Sequence, residues 1–310
     1  MKIDAHTEIF GIIGHPLGHT FSPTMHNAAF AAKKINAVYL AFPIKNLLRL
    51  KSSMRQWNIR GLSVTIPHKI SIRRKLDRID PLALQIGSVN TILWGKTGLL
   101  EGYNTDGPGA MMALKKARVP LLDKKILILG SGGSARGIAF ALTREKPQEI
   151  AIMARNPTMA MQLARNLTLQ KENPQVTLLI NEKRNQSRLT DFMPQHGRKW
   201  TSLYCSTPEQ IEKYDLIINT TPVGMRGSEN QKHSPLTIHE LKKHQTVFDI
   251  VYNPSETPLL KLARKKGCGI VMGYKMLLYQ GVLQFELFTG QSAPVQAMEK
   301  ALIEEIKRIS

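Results

Sequence analysis

The segment Lys125-Ile126-Leu127-Ile128-Leu129-Gly130-Ser131-Gly132-Gly133-Ser134-Ala135 decides the fold of the chain's central part. Its apolar run predicts a buried strand, and its glycine cluster predicts a tight loop before a helix. The cluster fits G-x-G-x-x-G/A, in which Gly130 turns the chain, Gly132 admits a pyrophosphate, and Ala135 packs helix on strand. Glycine clusters also serve turn geometry alone, but the flanking strand and helix favour a dinucleotide site over Gly130, Ser131, Gly132, Gly133, Ser134 and Ala135.

The residues after this loop continue the alternation of strand and helix. Helices are predicted at Ser134 to Thr143 and Thr158 to Thr168, and strands at Glu149 to Ala154, Val176 to Ile180, Asp215 to Asn219 and Thr246 to Val251. Apart from its one strand, the polar stretch 170–213 is interpreted as long surface loops. This alternation predicts a parallel, dinucleotide-binding sheet of the Rossmann type.

The residue that ends the second strand of such a unit selects the cofactor. A carboxylate at this place binds the ribose 2′-hydroxyl of NAD, whereas this strand ends in Ala154-Arg155. A guanidinium suits a 2′-phosphate and offers nothing specific to a hydroxyl. Arg155 therefore indicates NADP, the alternative being an ordinary solvated arginine at a strand end.

The chain before the glycine loop also alternates strand and helix. Strands are predicted at Glu8 to Gly14, Val38 to Ile44 and Gly61 to Ile66, and helices at Ser22 to Asn36 and Leu47 to Trp57, with Ser22 as N-cap and Pro23 in the first turn. Ser88 to Trp94 and Leu99 to Tyr103 flank a turn and predict a hairpin at the edge of a mainly parallel sheet. Helices at Tyr274 to Phe288 and Pro294 to Ile309 are predicted to close the chain.

Composition restricts the class of protein. The 310 residues are 42% hydrophobic, and neither a signal peptide nor a spanning helix fits the start of the chain, so the default expectation is a cytoplasmic protein without membrane contact. Cys205 and Cys268 have no partner at metal-ligand spacing, so no metal site is expected. The net charge of +20 is spread along the sequence without a nucleic-acid motif. We expect it to serve anionic small molecules and solubility, with no nucleic-acid partner.

Polar clusters follow several predicted strands of the N-terminal part. Thr20 and Ser22 precede a helix, where hydroxyls and free N–H groups form a carboxylate site, although Ser22 by itself is also an ordinary N-cap. Lys69 follows a strand, as do clusters around Asn90 and Asp106. Ligands gather at the carboxyl ends of strands in open α/β sheets. A lysine with a carboxylate partner can supply the proton that hydride transfer to a ketone requires.

Seven motifs along the chain carry a resemblance to a known family. They are, in order, GHPLGHTFSPTMHN, GLSVTIPHK, GSVNT, GYNTDG, LGSGGSARG, NTTPVGM and GYKMLLYQG, between residues 14 and 281. In order and approximate spacing they resemble the shikimate dehydrogenase family. The resemblance implies reversible, NADP-dependent reduction of 3-dehydroshikimate to shikimate in aromatic amino-acid biosynthesis. It also implies a substrate-binding, catalytic domain over residues 1–106 and 273–310, completed by the C-terminal helices, and a Rossmann domain over 107–272.

The resemblance also assigns roles to individual residues. Lys69 and Asp106 correspond to the catalytic pair. The positions that correspond to substrate-binding residues are Thr20 and Ser22 for the carboxylate, and Thr65, Asn90, Gln280 and Tyr252 for the rest of the substrate. Gly130 to Ala135 and Arg155 correspond to residues that hold the dinucleotide phosphates, and Ile250 and Gly273 to residues at its nicotinamide end.

Three positions depart from the family pattern. Thr20 stands where serine is usual, and its methyl group puts the choice between shikimate and quinate in question. Met159 stands where a second basic residue usually supports NADP, which weakens that preference, and Ser63 replaces a common asparagine. The alternatives are a quinate/shikimate dehydrogenase that uses NAD and, more remotely, a non-catalytic regulatory or nucleic-acid-binding relative. The sequence is compatible with a homodimer and does not specify one.

Overall fold

The computed structural model describes residues 3–170, 174–180, 200–204 and 209–309. They form two units. The first runs to Met112 and resumes at Tyr274, and the second covers Ala113–Gly273.

The described elements alternate between strand and helix through most of the chain. The strands are β1 (Glu8–Gly14), β2 (Ala37–Pro43), β3 (Ile59–Val64), β4 (Arg78–Ile79), β5 (Thr91–Trp94), β6 (Leu100–Tyr103), β7 (Lys125–Leu129), β8 (Glu149–Met153), β9 (Gln175–Ile180), β10 (Trp200–Tyr204), β11 (Leu216–Asn219), β12 (Thr246–Asp249) and β13 (Gly269–Met272). The helices are α1 (Ser22–Ala32), α2 (Leu50–Gln56), α3 (Pro81–Ile86), α4 (Asp106–Lys116), α5 (Gly133–Thr143), α6 (Pro157–Thr168), α7 (Glu209–Glu212), α8 (Pro258–Lys266), α9 (Gly273–Thr289) and α10 (Val295–Ile309). Every strand and helix predicted from the sequence is present, with ends shifted by a few residues.

The sheet of the first unit has the order β2-β1-β3-β5-β6-β4. β1 is parallel to β2 and β3, and β4 is parallel to β6, whereas β5 is antiparallel to β3 and β6. The sheet is therefore mainly parallel, as predicted. The hairpin of β5 and β6 was predicted at the sheet edge, and this is wrong because β4 pairs outside it. A two-residue strand has no periodic pattern by which a sequence could predict it.

The start of α1 differs from the prediction in one detail. Phe21 occupies the N-cap position without a side-chain cap bond, while Ser22 is the first helical residue and Pro23 lies in the first turn. The prediction of Ser22 as N-cap is therefore wrong. Thr20 takes over part of that function, since its Oγ1 accepts a hydrogen bond from the Ser22 N–H at 3.4 Å. A Thr side chain two residues before a donor makes this bond as an alternative to a regular cap.

The sheet of the second unit has the order β10-β9-β8-β7-β11-β12-β13, with every neighbouring pair parallel. The chain reverses its direction of travel across the sheet between β7 and β11, and ligands of such sheets bind where this happens, beyond the carboxyl ends of the strands. The glycine loop directly follows β7 at this point. The α/β fold with a Rossmann-type sheet is confirmed.

The polar stretch 170–213 contains more regular structure than predicted. β10 and α7 both fall within it, in addition to the predicted strand, so its interpretation as loops is partly wrong. Residues 171–173, 181–199 and 205–208 of this stretch, including Cys205, lie outside the described residues. Among the helices that the structure does describe, none is both long and apolar enough to cross a membrane.

Candidate active site

A lysine and an aspartate form a shielded ion pair in the first unit. Lys69 Nζ lies 2.6 Å from Asp106 Oδ2, and the two side chains are 13% and 3% exposed. Lys69 is in the loop after β3, where its carbonyl accepts a hydrogen bond from the Val89 N–H. Asp106 is the first residue of α4, where the helix dipole favours a negative charge. Lys69 is therefore held beside a buried carboxylate and is not a free surface charge.

Asn90, immediately before β5, connects the groups around this pair. Its Nδ2 donates to Asp106 Oδ1 at 3.0 Å, to Thr105 Oγ1 at 2.8 Å and to Gln280 Oε1 at 3.3 Å. Its Oδ1 accepts from the Thr105 N–H at 2.9 Å. Asn90 is 1% exposed, and a buried amide this fully bonded holds its neighbours in one arrangement. The structure thus brings together Lys69, Asp106, Asn90 and Gln280.

Thr65 lies on the loop after β3, beside the loop after β1. Its N–H donates to the Ile13 carbonyl at 2.9 Å, so the carboxyl ends of these two parallel strands are neighbours. A Cβ on Gly14 would lie 2.4 Å from Thr65 Cγ2, which explains the glycine by close packing. The Thr65 hydroxyl has no hydrogen-bond partner among the residues described and is half-buried, so it is free to bind a ligand.

Thr20 and Ser22 form a pair of hydroxyls at the start of α1. Thr20 Oγ1 lies 3.3 Å from Ser22 Oγ, and Ser22 is 2% exposed. α1 begins here with no acidic residue in its first turn. Hydroxyl donors at a helix N-terminus favour an anion such as a carboxylate.

Ser63, one of the departures from the family pattern, is bonded within the protein. It is 3% exposed; its hydroxyl accepts from Tyr39 OH at 2.6 Å and donates to Gln284 Oε1 at 2.8 Å. No donor is left on Ser63 for a ligand. Gln284 was missed by the sequence reasoning, although a glutamine one helical turn after Gln280 in an otherwise apolar segment was a usable signal.

Tyr39 stacks on His26, a buried histidine that should make the stability of the protein depend on pH. The rings of His26 and Tyr39 are 4.3 Å apart, and burial lowers the pKa of His26 to about 3. The unfolded chain, with an ordinary pKa near 6.5, then binds the proton more readily, so stability falls as pH drops below about 6.5. We expect His26→Phe to remove about 2 kcal/mol of the stability difference between pH 7 and pH 5, from 1.36 kcal/mol per pKa unit.

Urea unfolding of both proteins at the two pH values measures this effect. His6→Phe, at an exposed position of the same unit, is the control and should keep the wild-type pH dependence. Equal pH dependence of wild type and His26→Phe would mean that burial does not lower the pKa of His26.

The glycine loop of the second unit has the geometry of a phosphate site. Gly130 has φ +114°, and a Cβ there would lie 2.4 Å from Thr220 Oγ1. Gly132 is the N-cap residue of α5, and no described atom lies within 4 Å of the place where its Cβ would be. Packing within the protein therefore requires glycine at 130 but not at 132. Open space over a backbone at a helix start, with Ser131, Gly133, Ser134 and the buried Ala135 beside it, fits a bound pyrophosphate.

Arg155 follows β8 and is exposed, with no hydrogen bond or ion pair to another described residue. Its guanidinium is free to bind an anion. Asn156, which the sequence reasoning left without a role, is the N-cap residue of α6, and its side chain accepts from the Met159 N–H at 3.1 Å. Residue 159 therefore belongs to the first turn of this helix, and a methionine there adds no positive charge.

The remaining predicted residues lie around the end of β12. Ile250 follows this strand, and its N–H donates to the Asn219 carbonyl at 3.1 Å. A Cβ on Gly273 would lie 2.3 Å from the Val251 carbonyl oxygen, so the backbone approach there requires glycine. Tyr252 is half-buried in this second unit, whereas the other predicted substrate-binding residues are in the first.

Burial raises the pKa of the nearby Asp249 to about 6, while bonds from Thr257, the Val251 N–H and Asn219 oppose this rise. Asp249 lies at the end of β12 and ties its loop to β11 through Asn219. The described residues include no group of three or more His, Cys, Asp or Glu that could hold a metal.

Comparison with known proteins gives consistent matches over nearly the whole chain. Residues 12–92 match the shikimate dehydrogenase substrate binding domain, and residues 273–303 match the shikimate 5'-dehydrogenase C-terminal domain. A shikimate dehydrogenase (NADP(+)) from Methanobrevibacter smithii is 40% identical over 302 residues, which are 97% of this chain and 98% of that protein.

Two solved structures are similar in both fold and sequence. A shikimate dehydrogenase in complex with NADP+ has a TM-score of 0.80 and 38% identity, covering 98% of each chain. A shikimate 5-dehydrogenase from Listeria monocytogenes, in complex with shikimate and NAD, has a TM-score of 0.78 and 30% identity, covering 97% of this chain and 98% of that one.

Proposed function

The chain belongs to the shikimate dehydrogenase family, and we propose that it catalyses the reversible, NADP-dependent reduction of 3-dehydroshikimate to shikimate. It is an oxidoreductase that acts on a CH–OH group. The observation that carries this proposal is the 2.6 Å contact between Lys69 Nζ and Asp106 Oδ2, shielded from solvent and surrounded by amide and hydroxyl groups. Such a pair can move a proton at a substrate oxygen.

Lys69 is the proton donor in the direction of reduction. Its ammonium group gives a proton to the oxygen of the substrate carbonyl as negative charge develops there. Asp106 accepts a hydrogen bond from Lys69 and holds the amine in place, while Asn90 holds Asp106. When bound, NADPH supplies the hydride. In the reverse direction Lys69 receives the proton of the shikimate hydroxyl.

The substrate is held by polar side chains that follow strands or begin helices. Thr20 and Ser22 bind the carboxylate at the start of α1, where both hydroxyls and helix N–H groups are available. Thr65, Asn90 and Gln280 bind ring hydroxyls. The family pattern assigns Tyr252 to the substrate as well.

The cofactor is held by the second unit. Gly130 to Ala135 bind the pyrophosphate at the start of α5, and Arg155 binds the 2′-phosphate. Ile250 and Gly273, adjacent in space at the end of β12, line the nicotinamide end. The substrate is a small molecule, and we propose no nucleic-acid partner.

A second candidate is a quinate/shikimate dehydrogenase that uses NAD. Thr20 in place of serine and Met159 in place of a basic residue favour it, and the Listeria relative is described in complex with NAD. A non-catalytic relative is disfavoured because Lys69 and Asp106 are both present and in contact.

Initial rates decide between these candidates. The full chain is assayed with shikimate or quinate as the substrate and NADP or NAD as the oxidant, and formation of the reduced nicotinamide is followed by absorbance. We expect the highest kcat/KM with shikimate and NADP. A higher kcat/KM with NAD or with quinate would favour the second candidate, and no oxidation of either substrate would overturn the proposed function.

Thr20→Ser is expected to change the ratio of kcat/KM between shikimate and quinate. The Thr20 hydroxyl lies 3.3 Å from Ser22 Oγ in the proposed carboxylate site, and Thr20 carries a methyl group that serine lacks. One methyl in a close-fitting pocket contributes about 1 to 3 kcal/mol to discrimination. The same four-way rate assay measures it, with Thr7→Ser, outside the pocket, as the control. An unchanged ratio would leave Thr20 with only its structural bond to the Ser22 N–H.

A further inference from the structure

Gln284 is a buried amide that the proposed catalytic and binding roles do not use. It lies on α9, one helical turn after Gln280, and is 1% exposed. Its Nε2 donates to the Asn90 carbonyl and to Thr91 Oγ1, both at 3.0 Å, and its Oε1 accepts from Ser63. Burying an amide costs free energy unless its groups are bonded. The donors and acceptors around Gln284 must therefore be placed to match its NH₂ group and its oxygen.

The orientation of the Gln284 amide follows from its partners. The Asn90 main-chain carbonyl can only accept a hydrogen bond, so the NH₂ group of Gln284 must face it. The same NH₂ group donates to Thr91 Oγ1. The Thr91 hydroxyl proton therefore points to its remaining neighbour, Asn90 Oδ1, at 2.8 Å.

A backbone group also fixes the orientation of the Asn90 side-chain amide. The Thr105 N–H can only donate, and it lies 2.9 Å from Asn90 Oδ1. Asn90 Oδ1 thus receives two donors, from Thr105 and Thr91, and its Nδ2 is turned to Asp106 Oδ1 at 3.0 Å. Asp106 Oδ2 is left to accept from Lys69.

The hydrogen bonds on the other side of Gln284 run in the same donor-to-acceptor direction. Tyr39 OH donates to Ser63, and Ser63 donates to Gln284 Oε1. Every hydrogen bond in the series Tyr39, Ser63, Gln284, Thr91, Asn90 and Asp106 therefore has a defined donor. We call these six residues the amide relay. All of them are 3% exposed or less, so water does not compete for their bonds.

We propose that Gln284 is a positioning residue, which through the amide relay keeps the Asn90 side-chain NH₂ group on Asp106 and so keeps Asp106 oriented toward Lys69. The proposal rests on the proposed function, because it takes the Lys69–Asp106 pair as catalytic. Gln284 itself acts only through Asn90. The observations that carry it are the three bonds that join Gln284 to Asp106 through Thr91 and Asn90. The Asn90 carbonyl and the Thr105 N–H are the two backbone groups that fix the direction of these bonds.

The kinetic test uses the full chain with shikimate and NADP. Gln284→Met keeps the length of the side chain without its donor, and Thr91→Val keeps the shape of the residue without its hydroxyl. We expect each to lower kcat about tenfold, the equivalent of one lost hydrogen bond, with KM for shikimate changed less than about threefold. Thr91→Ser restores the hydroxyl and should keep near-native kcat. The double variant should be no slower than the slower single variant, since both act on one series of bonds.

Two controls separate this role from general stability. Gln296→Met changes an exposed glutamine of α10 and should leave kcat unchanged. Melting temperatures are measured for all variants. If Gln284→Met and Thr91→Val keep native kcat, or if only KM or the melting temperature changes, then Gln284 is a packing residue and the proposal is overturned.

A readout that needs no activity distinguishes this proposal from the proposed function. In protein labelled with ¹⁵N-asparagine, the Asn90 side-chain amide is assigned by its absence in Asn90→Asp. We expect its hydrogen exchange to be slow in wild type and Thr91→Ser, and to be at least about tenfold faster in Gln284→Met and Thr91→Val, for the same lost bond. Equal exchange in all four proteins would overturn the relay even if the wild type oxidises shikimate. Inactivity of the wild type with unequal exchange would overturn the function alone.

Discussion

Lys69→Ala is expected to lower kcat for shikimate oxidation by on the order of 10² to 10⁴-fold, the usual loss when a general acid–base group is removed. KM for shikimate should change much less, because carboxylate and hydroxyl binding are assigned to Thr20, Ser22, Thr65 and Gln280. The physical reason is the position of the lysine. Its Nζ lies 2.6 Å from a carboxylate that is 3% exposed, and this places one ammonium in a shielded polar cluster. Steady-state rates with shikimate and NADP measure the effect.

Asp106→Asn and Lys96→Ala complete this experiment. Asp106→Asn should show a loss similar to that of Lys69→Ala, since an amide removes the negative charge that holds the ammonium. Lys96→Ala changes an exposed lysine in the hairpin turn between β5 and β6 and should keep native rates. A near-native kcat in Lys69→Ala would show that the ion pair is structural and that another group transfers the proton.

Wild-type protein is expected to prefer NADP over NAD by about tenfold to a few hundredfold in kcat/KM, and Arg155→Ala should lose most of this preference. A charge-assisted hydrogen bond contributes roughly 1.5 to 3 kcal/mol, which corresponds to this range. Arg155 is exposed, has no partner among the described residues, and is not followed by a carboxylate before α6. Because Met159 supplies no second charge, the preference should be smaller than in a site with two basic residues.

The rate with NAD and a second arginine variant are the controls for this prediction. Arg155→Ala should leave turnover with NAD nearly intact, because a 2′-hydroxyl gains little from a guanidinium. Arg165→Ala, which removes an exposed arginine from the last turn of α6, should keep the wild-type preference for NADP. Wild-type preference for NAD, or a full NADP preference retained by Arg155→Ala, would show that Arg155 does not bind the phosphate.

Features of the fold and site that depend on neighbouring residues could be predicted from the sequence. The apolar run before Gly130 predicted β7, and the glycines after it predicted the loop that leads to α5. The positive φ of Gly130 and the position of Arg155 after β8 are likewise local, because strand, loop and helix start follow one another in the chain. Motif order identified Lys69 and Asp106 as a pair, and the structure adds the 2.6 Å contact between them.

Other features were decided only by tertiary packing. The position of β4 outside the hairpin depends on the pairing of Arg78–Ile79 with β6. A strand of two residues is too short to be recognised from a sequence pattern. Ser63 stands where the family commonly has an asparagine, and only the structure shows that its hydroxyl is bonded to Tyr39 and Gln284.

The amide relay shows the physical reason for this division between sequence and structure. Ser63 and Gln284 are 221 positions apart in the chain, and Asn90 and Gln280 are 190 apart. Helix and strand patterns arise from contacts between residues a few positions apart, so they are visible in the sequence. Hydrogen bonds between distant residues require α9 to be packed on the sheet of the first unit, where burial leaves each donor with only protein acceptors. The sequence by itself thus determined most of the elements and the family, while tertiary packing determined which polar groups surround Asp106.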